Sequence, residues 1–188
     1  LYPEGHPYSW QVIGSLEDLQ NATLQDVKDF YNRWYVPNNV TLTIAGDFDT
    51  AQAKQWVEKY FSEIKRGEDI PKMAKQPVEL SETKKLFYED NFARLPQLTI
   101  AWPGVYQYHD DSYALSVLSS YLSRGKAAPL YKSIVEEHQL ASNVSLSQYN
   151  SEIAGQVMLR VTAFNGTKLD NVQSAINEAF SKFEAEGI

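Results

Sequence analysis

The sequence predicts an α+β fold, an antiparallel sheet with helices packed on one face. Three observations carry that reading. Apolar residues recur at three-four spacing in several capped stretches, each the stripe of an amphipathic helix. Between them lie alternating stretches of strand character. The resulting order is α-β-α, a linker, then β-β-α-α-β-β-α, so strands in the second half come in pairs. A doubly wound sheet would need single strands alternating with single helices.

The first helix starts at Thr23, with Asp26 three residues on as its capping-box partner. Leu24, Val27, Phe30, Tyr31 and Trp34 share one face, and Pro37 with Asn38-Asn39 ends the helix and turns the chain. Val40 to Ala45 alternates and reads as a strand. Asp49 or Thr50 caps the next helix, striped by Ala53, Trp56, Val57, Tyr60, Phe61 and Ile64. Residues 66–83 hold Gly67, Pro71 and Pro77 among many charges, the composition of a stiff linker. The expected domains are 1–65, 66–83 as linker, and 84–188.

Beyond the linker, Lys84–Phe92 and Leu95–Pro103 read as a hairpin turning at Ala93-Arg94. Asp110 or Asp111 caps a helix carrying Ala114, Leu115, Leu118, Tyr121 and Leu122, which ends near Gly125. Pro129 suits the first position of a helix running through Glu137. Asn143–Tyr149 and Gly155–Phe164 form two more strands, turning at Asn150-Ser151. Thr167 and Asp170 repeat the capping-box signal before a helix striped by Leu169, Val172, Ala175, Ile176, Ala179, Phe180 and Phe183.

Composition bounds the function. A chain of this length buries roughly 70% of its unfolded surface, enough for one large core or two modest ones. Twelve Tyr, eight Phe and four Trp supply aromatic surface that disordered chains lack. The formal charge of −7 disfavours nucleic-acid binding, which needs clustered cations against phosphate. The apolar runs are too short and interrupted to span a membrane. With no cysteine, disulfides and thiolate metal sites are excluded, while the compartment stays open. A start without Met, and without a basic and apolar leader, fits an internal fragment.

Five motifs occur in order: His6-Pro7-Tyr8; the helix into Tyr35-Val36-Pro37-Asn38-Asn39; the strand into Gly46-Asp47; Leu98-Thr99-Ile100-Ala101-Trp102-Pro103-Gly104 with a helix after it; and Leu130-Tyr131 to Leu140-Ala141 leading into a strand. In that order they resemble the pitrilysin/insulinase family of zinc metallopeptidases, which includes the mitochondrial processing peptidase. The resemblance implies a processing-peptidase-like (LuxS-type) half-domain. It makes residues 1–65 the end of a zinc-bearing lobe and 84–188 most of a second, non-catalytic lobe. It also implies that zinc is bound upstream, through H-x-x-E-H and a later Glu, neither of which this chain contains.

The residues agree with that reading. Hydrolytic zinc needs three protein ligands and an open position, with a carboxylate to take the water's proton. Two His at i and i+4 would put both imidazoles on one helix face. His6, His109 and His138 stand in three different elements, none four residues from another. Each has a structural role: His6 in a turn, His109 before a helix with Asp110 and Asp111, His138 near a helix end. The helix from Asp111 to Ser123 corresponds to the family's metal helix, yet contains neither His nor Glu. Many family members carry an Arg and a Tyr seven residues apart that are thought to hold the substrate backbone. Val135 and Ser142 stand in their places here, and neither side chain can substitute as a donor. Asn21, Asn39, Asn143 and Asn165 begin N-x-S/T sequons, taken as chance matches. No G-x-S-x-G and no phosphate loop occurs.

The expectation is therefore a segment with no catalytic, cofactor-binding or metal-ligating residue of its own. The parent would be a zinc metallopeptidase that hydrolyses peptides between two lobes, and this segment would form chamber wall and lobe interface. Its partners would be a peptide substrate, its own upstream zinc lobe, and a homo- or heterodimer partner supplying the Arg/Tyr pair. Two rivals stand beside this: a structural or assembly subunit that has lost the metal motif, and a module capturing extended peptides on a sheet edge. Bacterial relatives point to the periplasm, through resemblance alone.

Overall fold

The computed structural model describes residues 1–187. Two compact bodies are present: Trp10–Met73, and Leu1–Ser9 together with the chain from Ala74 onward.

Trp10–Met73 is built on helices α1 (Leu16–Asn21), α2 (Leu24–Trp34) and α3 (Thr50–Phe61). Helix α1 is not among the expected elements; it is six residues long and is capped by Ser15, which accepts from the Asp18 amide at 3.0 Å. The expected box at α2 forms: Thr23 N–H donates to Asp26 Oδ2 at 2.8 Å, and Asp26 N–H to Thr23 Oγ1 at 3.2 Å. Asp49 caps α3 by accepting from the Gln52 amide at 2.7 Å. A 3₁₀ turn, Pro37–Asn39, follows α2. Residues 66–69 fold back on that turn. Asn38 Oδ1 accepts from Gly67 N–H at 2.9 Å, and Asn38 Nδ2 donates to the Glu68 carbonyl at 3.0 Å. Only glycine fits at 67, where a Cβ would lie 2.5 Å from Val36 Cγ1.

Val40–Ala45 is not a strand, contrary to its alternation. An alternating stretch becomes a strand only with a ladder partner, and no described residue pairs with it. The apolar stripes of this body are likewise uncovered: no residue of α1, α2 or α3 is buried.

The second body holds β1 (Gln97–Gly104), α4 (Asp111–Ser123), α5 (Pro129–Tyr131), β2 (Ala141–Asn150), β3 (Gly155–Ala163) and α6 (Leu169–Glu186). The sheet is antiparallel throughout, in the order β1-β3-β2. Three differences from expectation stand out. Lys84–Phe92 does not pair with β1, so no hairpin forms at Ala93-Arg94, and Leu86, Phe87 and Tyr88 are exposed. The helix expected through Glu137 changes winding after α5, becoming a π-helix over Lys132–Glu137 whose exit bond runs from His138 N–H to the Ser133 carbonyl at 3.0 Å. At α6 the Thr167–Asp170 capping box is not made, and Lys168 is the N-cap.

Register fixes the core. Val144, Val161 and Leu98 lie abreast, as do Leu146, Leu159 and Ile100, on the sheet face that meets the helices. Leu122 of α4, Leu130 of α5, Ile134 of the π-helix, and Val172 and Ile176 of α6 close over them. Ser133 sits among them because its hydroxyl donates to the Ala175 carbonyl at 3.0 Å, which offsets the cost of burying it. This is the α+β layer the sequence predicts.

Candidate functional site

The helices cover one sheet face and leave the other open. Alternation puts Thr99, Ala101, Ser145, Ser147, Met158 and Arg160 there. Arg160, on the central strand between Thr99 and Ser145, is exposed, and its guanidinium reaches Met158 Sδ at 3.4 Å. The open face is therefore hydroxyl-rich around a central cation.

On the covered face the strand ends become polar. Gln148 lies abreast of Val157 and Trp102, and Asn150 abreast of Gly155 and Gly104. Gln148 Oε1 and Nε2 and Asn150 Oδ1 are buried without a protein hydrogen-bond partner. Trp102 stands edge-on to Phe180 of α6 at 6.2 Å.

Each histidine has local work. His6 is buried; its Nδ1 accepts from Tyr8 N–H at 3.0 Å and its Nε2 lies 3.0 Å from the Gln76 carbonyl. His109 Nδ1 accepts from the Asp111 amide at 3.1 Å, so the start of α4 is satisfied by His109 and not by the side chain of Asp110. His138 Nε2 meets Glu178 Oε2 of α6 at 2.9 Å. The structure does not bring these rings together. Among the described residues no cluster of three or more His, Cys, Asp or Glu side chains is placed to hold a metal ion.

On α4, a hydrolytic zinc would need imidazole or carboxylate side chains on the less exposed face. Ser112, Leu115, Leu118, Ser119, Leu122 and Ser123 are its less exposed positions, and none is an imidazole or a carboxylate. Ser123 Oγ donates to the Ser119 carbonyl at 2.9 Å. These side chains do not fit zinc. Val135, in the π-helix, packs against the core, and Ser142 at the start of β2 is exposed. Neither a guanidinium nor a phenol occupies those positions.

Asp26 and Tyr2 have shifted acidities. Hydrogen bonds from the Thr23 hydroxyl and backbone hold the Asp26 carboxyl below its usual range. Burial, and then neighbouring Tyr8, push the Tyr2 phenol up.

Fold and residues together define a peptidase-type α+β domain with no metal-holding cluster among the described residues. The family can be stated directly: residues 21–188 match the model described as the peptidase M16 inactive domain, and the chain belongs to that family. It is 30% identical over 140 residues to the zinc protease PqqE of Helicobacter pylori, covering 73% of this chain and 31% of that protein. A crystal structure of a protease from Helicobacter pylori superposes with a TM-score of 0.78 at 25% identity, over 97% of this chain and 44% of that one. The periplasmic protease PqqL of Escherichia coli shares the fold, with a TM-score of 0.60 at 21% identity over 94% of this chain and 20% of that one. The chain thus spans less than half the length of each of these relatives.

Proposed function

We propose that this chain is the segment of a zinc metalloendopeptidase that follows its zinc motif, and that it supplies chamber wall and lobe interface while contributing no catalytic residue. The observation that carries this is the membership in an inactive-domain family together with an α4 whose less exposed positions carry no imidazole and no carboxylate. We take 66–83 as the division between lobes, while the compact bodies part at Trp10 and after Met73. On this reading residues 1–65 end the zinc-bearing lobe and 84–188 form most of the second lobe; residues 1–9 pack with the chain from Ala74 onward. The uncovered stripes of α2 and α3 support an incomplete first lobe, because exposed apolar faces of this extent mark surfaces that a larger assembly buries. The open sheet face around Arg160 is the wall we assign to an extended peptide. Zinc belongs to the parent protein, bound by residues outside this chain.

Val135 and Ser142 leave the substrate-holding pair unfilled, so a second subunit supplies an Arg and a Tyr. The similarity to a periplasmic protease favours a periplasmic setting. The test is peptide hydrolysis by the full-length gene product, with and without zinc, beside the 188-residue chain. Activity in the first alone supports the reading. Inactivity of a zinc-free full-length protein in a stable complex would favour the assembly-subunit alternative. Peptide cleavage by a strict monomer would contradict the donated Arg/Tyr pair.

A further inference from the structure

Arg160 is the one charged residue on the open face of the sheet. It stands on the central strand, with Thr99 of β1 abreast on one side and Ser145 of β2 on the other. The rows of that face run from Gln97 and Thr162 at one end to Pro103, Gln156 and Tyr149 at the other, and none contains Asp or Glu. The chain as a whole carries 24 carboxylates against 17 Lys and Arg, so this face is a cationic patch on an acidic molecule. Charges off the face are screened over about 8 Å at physiological salt, which leaves Arg160 to set the local field.

The guanidinium makes no ion pair among the described residues. Its Nη2 donates to Met158 Sδ at 3.4 Å, and a thioether is a weak acceptor. Residues directly abreast on neighbouring strands hold their Cβ atoms about 5 Å apart, so the hydroxyls of Thr99 and Ser145 flank the guanidinium. Gln97 Nε2 donates to Thr99 Oγ1 at 3.2 Å, and the proton of that hydroxyl remains for a further acceptor. A fork of N–H donors between two O–H donors matches a carboxylate, which takes paired bonds from the fork and offers lone pairs to both hydroxyls. A neutral amide presents one oxygen and sets its own N–H groups against these donors.

We propose that Arg160, with Thr99 and Ser145, reads an acidic side chain of an extended peptide lying across this face. The proposal rests on the assignment of the face as a peptide wall and adds to it a preference for Glu or Asp over their amides.

The test titrates the whole chain with two peptides of nine residues, the length of β3. Both are built of Thr, Ser and Val, acetylated and amidated, with a central Glu in one and Gln in the other, so the side chain is the only carboxylate. Binding is read from amide shifts at Thr99, Ser145 and Arg160. The Glu peptide should bind about tenfold more tightly than the Gln peptide, the worth of one charge-assisted contact. Arg160→Gln, a change at an exposed position, should erase that preference, and Arg160→Glu should reverse it. Equal binding of the two peptides on this face overturns the proposal and leaves the peptide wall standing. A preference that survives Arg160→Gln overturns it as well, because the acid is then read elsewhere. Shifts that bypass the face with both peptides overturn the wall and the proposal together. Binding only when the peptide's C-terminus is left free would move recognition to a chain end and overturn the side-chain assignment.

Discussion

Trp56 offers the most direct measure of what Trp10–Met73 lacks. It lies on the α3 stripe and is 53% exposed in this chain. A tryptophan side chain brings about 200 Å² to an interface, so about half, on the order of 100 Å², is still in contact with water. At about 25 cal/mol per Å², covering that area contributes about 2.5 kcal/mol. By the same measure the half already covered is worth about as much, so Trp56→Ala should cost about 2 kcal/mol in the 188-residue chain, where the face is half open. In the full-length protein, if the proposed first lobe covers the other half, the loss should rise to about 4.5 kcal/mol. Leu159→Ala is the control: Leu159 is fully buried and should cost about 3 kcal/mol in both settings. Urea denaturation followed by α3 amide exchange gives both numbers. Equal losses for Trp56→Ala in the two proteins would refute the inference that α3 packs against further chain.

Other consequences are open to similar measurement. Gln148→Met replaces an amide with two unpartnered buried atoms by an apolar chain of similar length beside Val157. Thermal denaturation should show a gain of about 1 kcal/mol, and a loss would mean that the amide is satisfied in solution. Asp26 is depressed in the folded state, so its contribution is present above the unfolded carboxyl range and is lost as pH falls through the folded value. Fraying of α2, read from Thr23–Val27 amides, should grow on acidification and become pH-independent in Asp26→Asn. Installing Val135→Arg and Ser142→Tyr should leave the isolated chain inactive, because a substrate clamp without zinc has no chemistry to assist. Turnover of a fluorogenic peptide by that variant would contradict this.

The sequence was legible wherever local chemistry decides the outcome. Thr23–Asp26 and Asp49 cap their helices through contacts made within four residues. The β2–β3 pair and the stripes of α4 and α6 followed from periodicity. Outcomes set by distant partners were not legible. Val40–Ala45 and Lys84–Phe92 have strand alternation, but a ladder is a property of two segments, and a sequence window sees only one. The π-winding after α5 arises because Ile134 and Ser133 are drawn into the core under α6, a tertiary demand without a local signature. His109 displaced Asp110 as the satisfier of α4 since a backbone in the αR region at Asp110 aims its side chain away from the cap. The His6-Pro7-Tyr8 turn was visible as a turn, yet its link to Gln76 spans seventy residues and could only come from the fold. For the candidate site, the spacing of His6, His109 and His138 was readable directly, because ligand geometry on a helix depends on intervals of three and four.

The described side chains are not placed to hold a hydrolytic metal, and on the proposed reading any proteolysis borrows its zinc from elsewhere in the parent protein. Elemental analysis after dialysis against micromolar zinc tests it most directly, on the 188-residue chain and on the full-length protein in parallel. No retained zinc is expected in the first and one ion per chain in the second. A stoichiometric ion in the 188-residue chain, lost on His6→Ala, His109→Ala or His138→Ala, would contradict it.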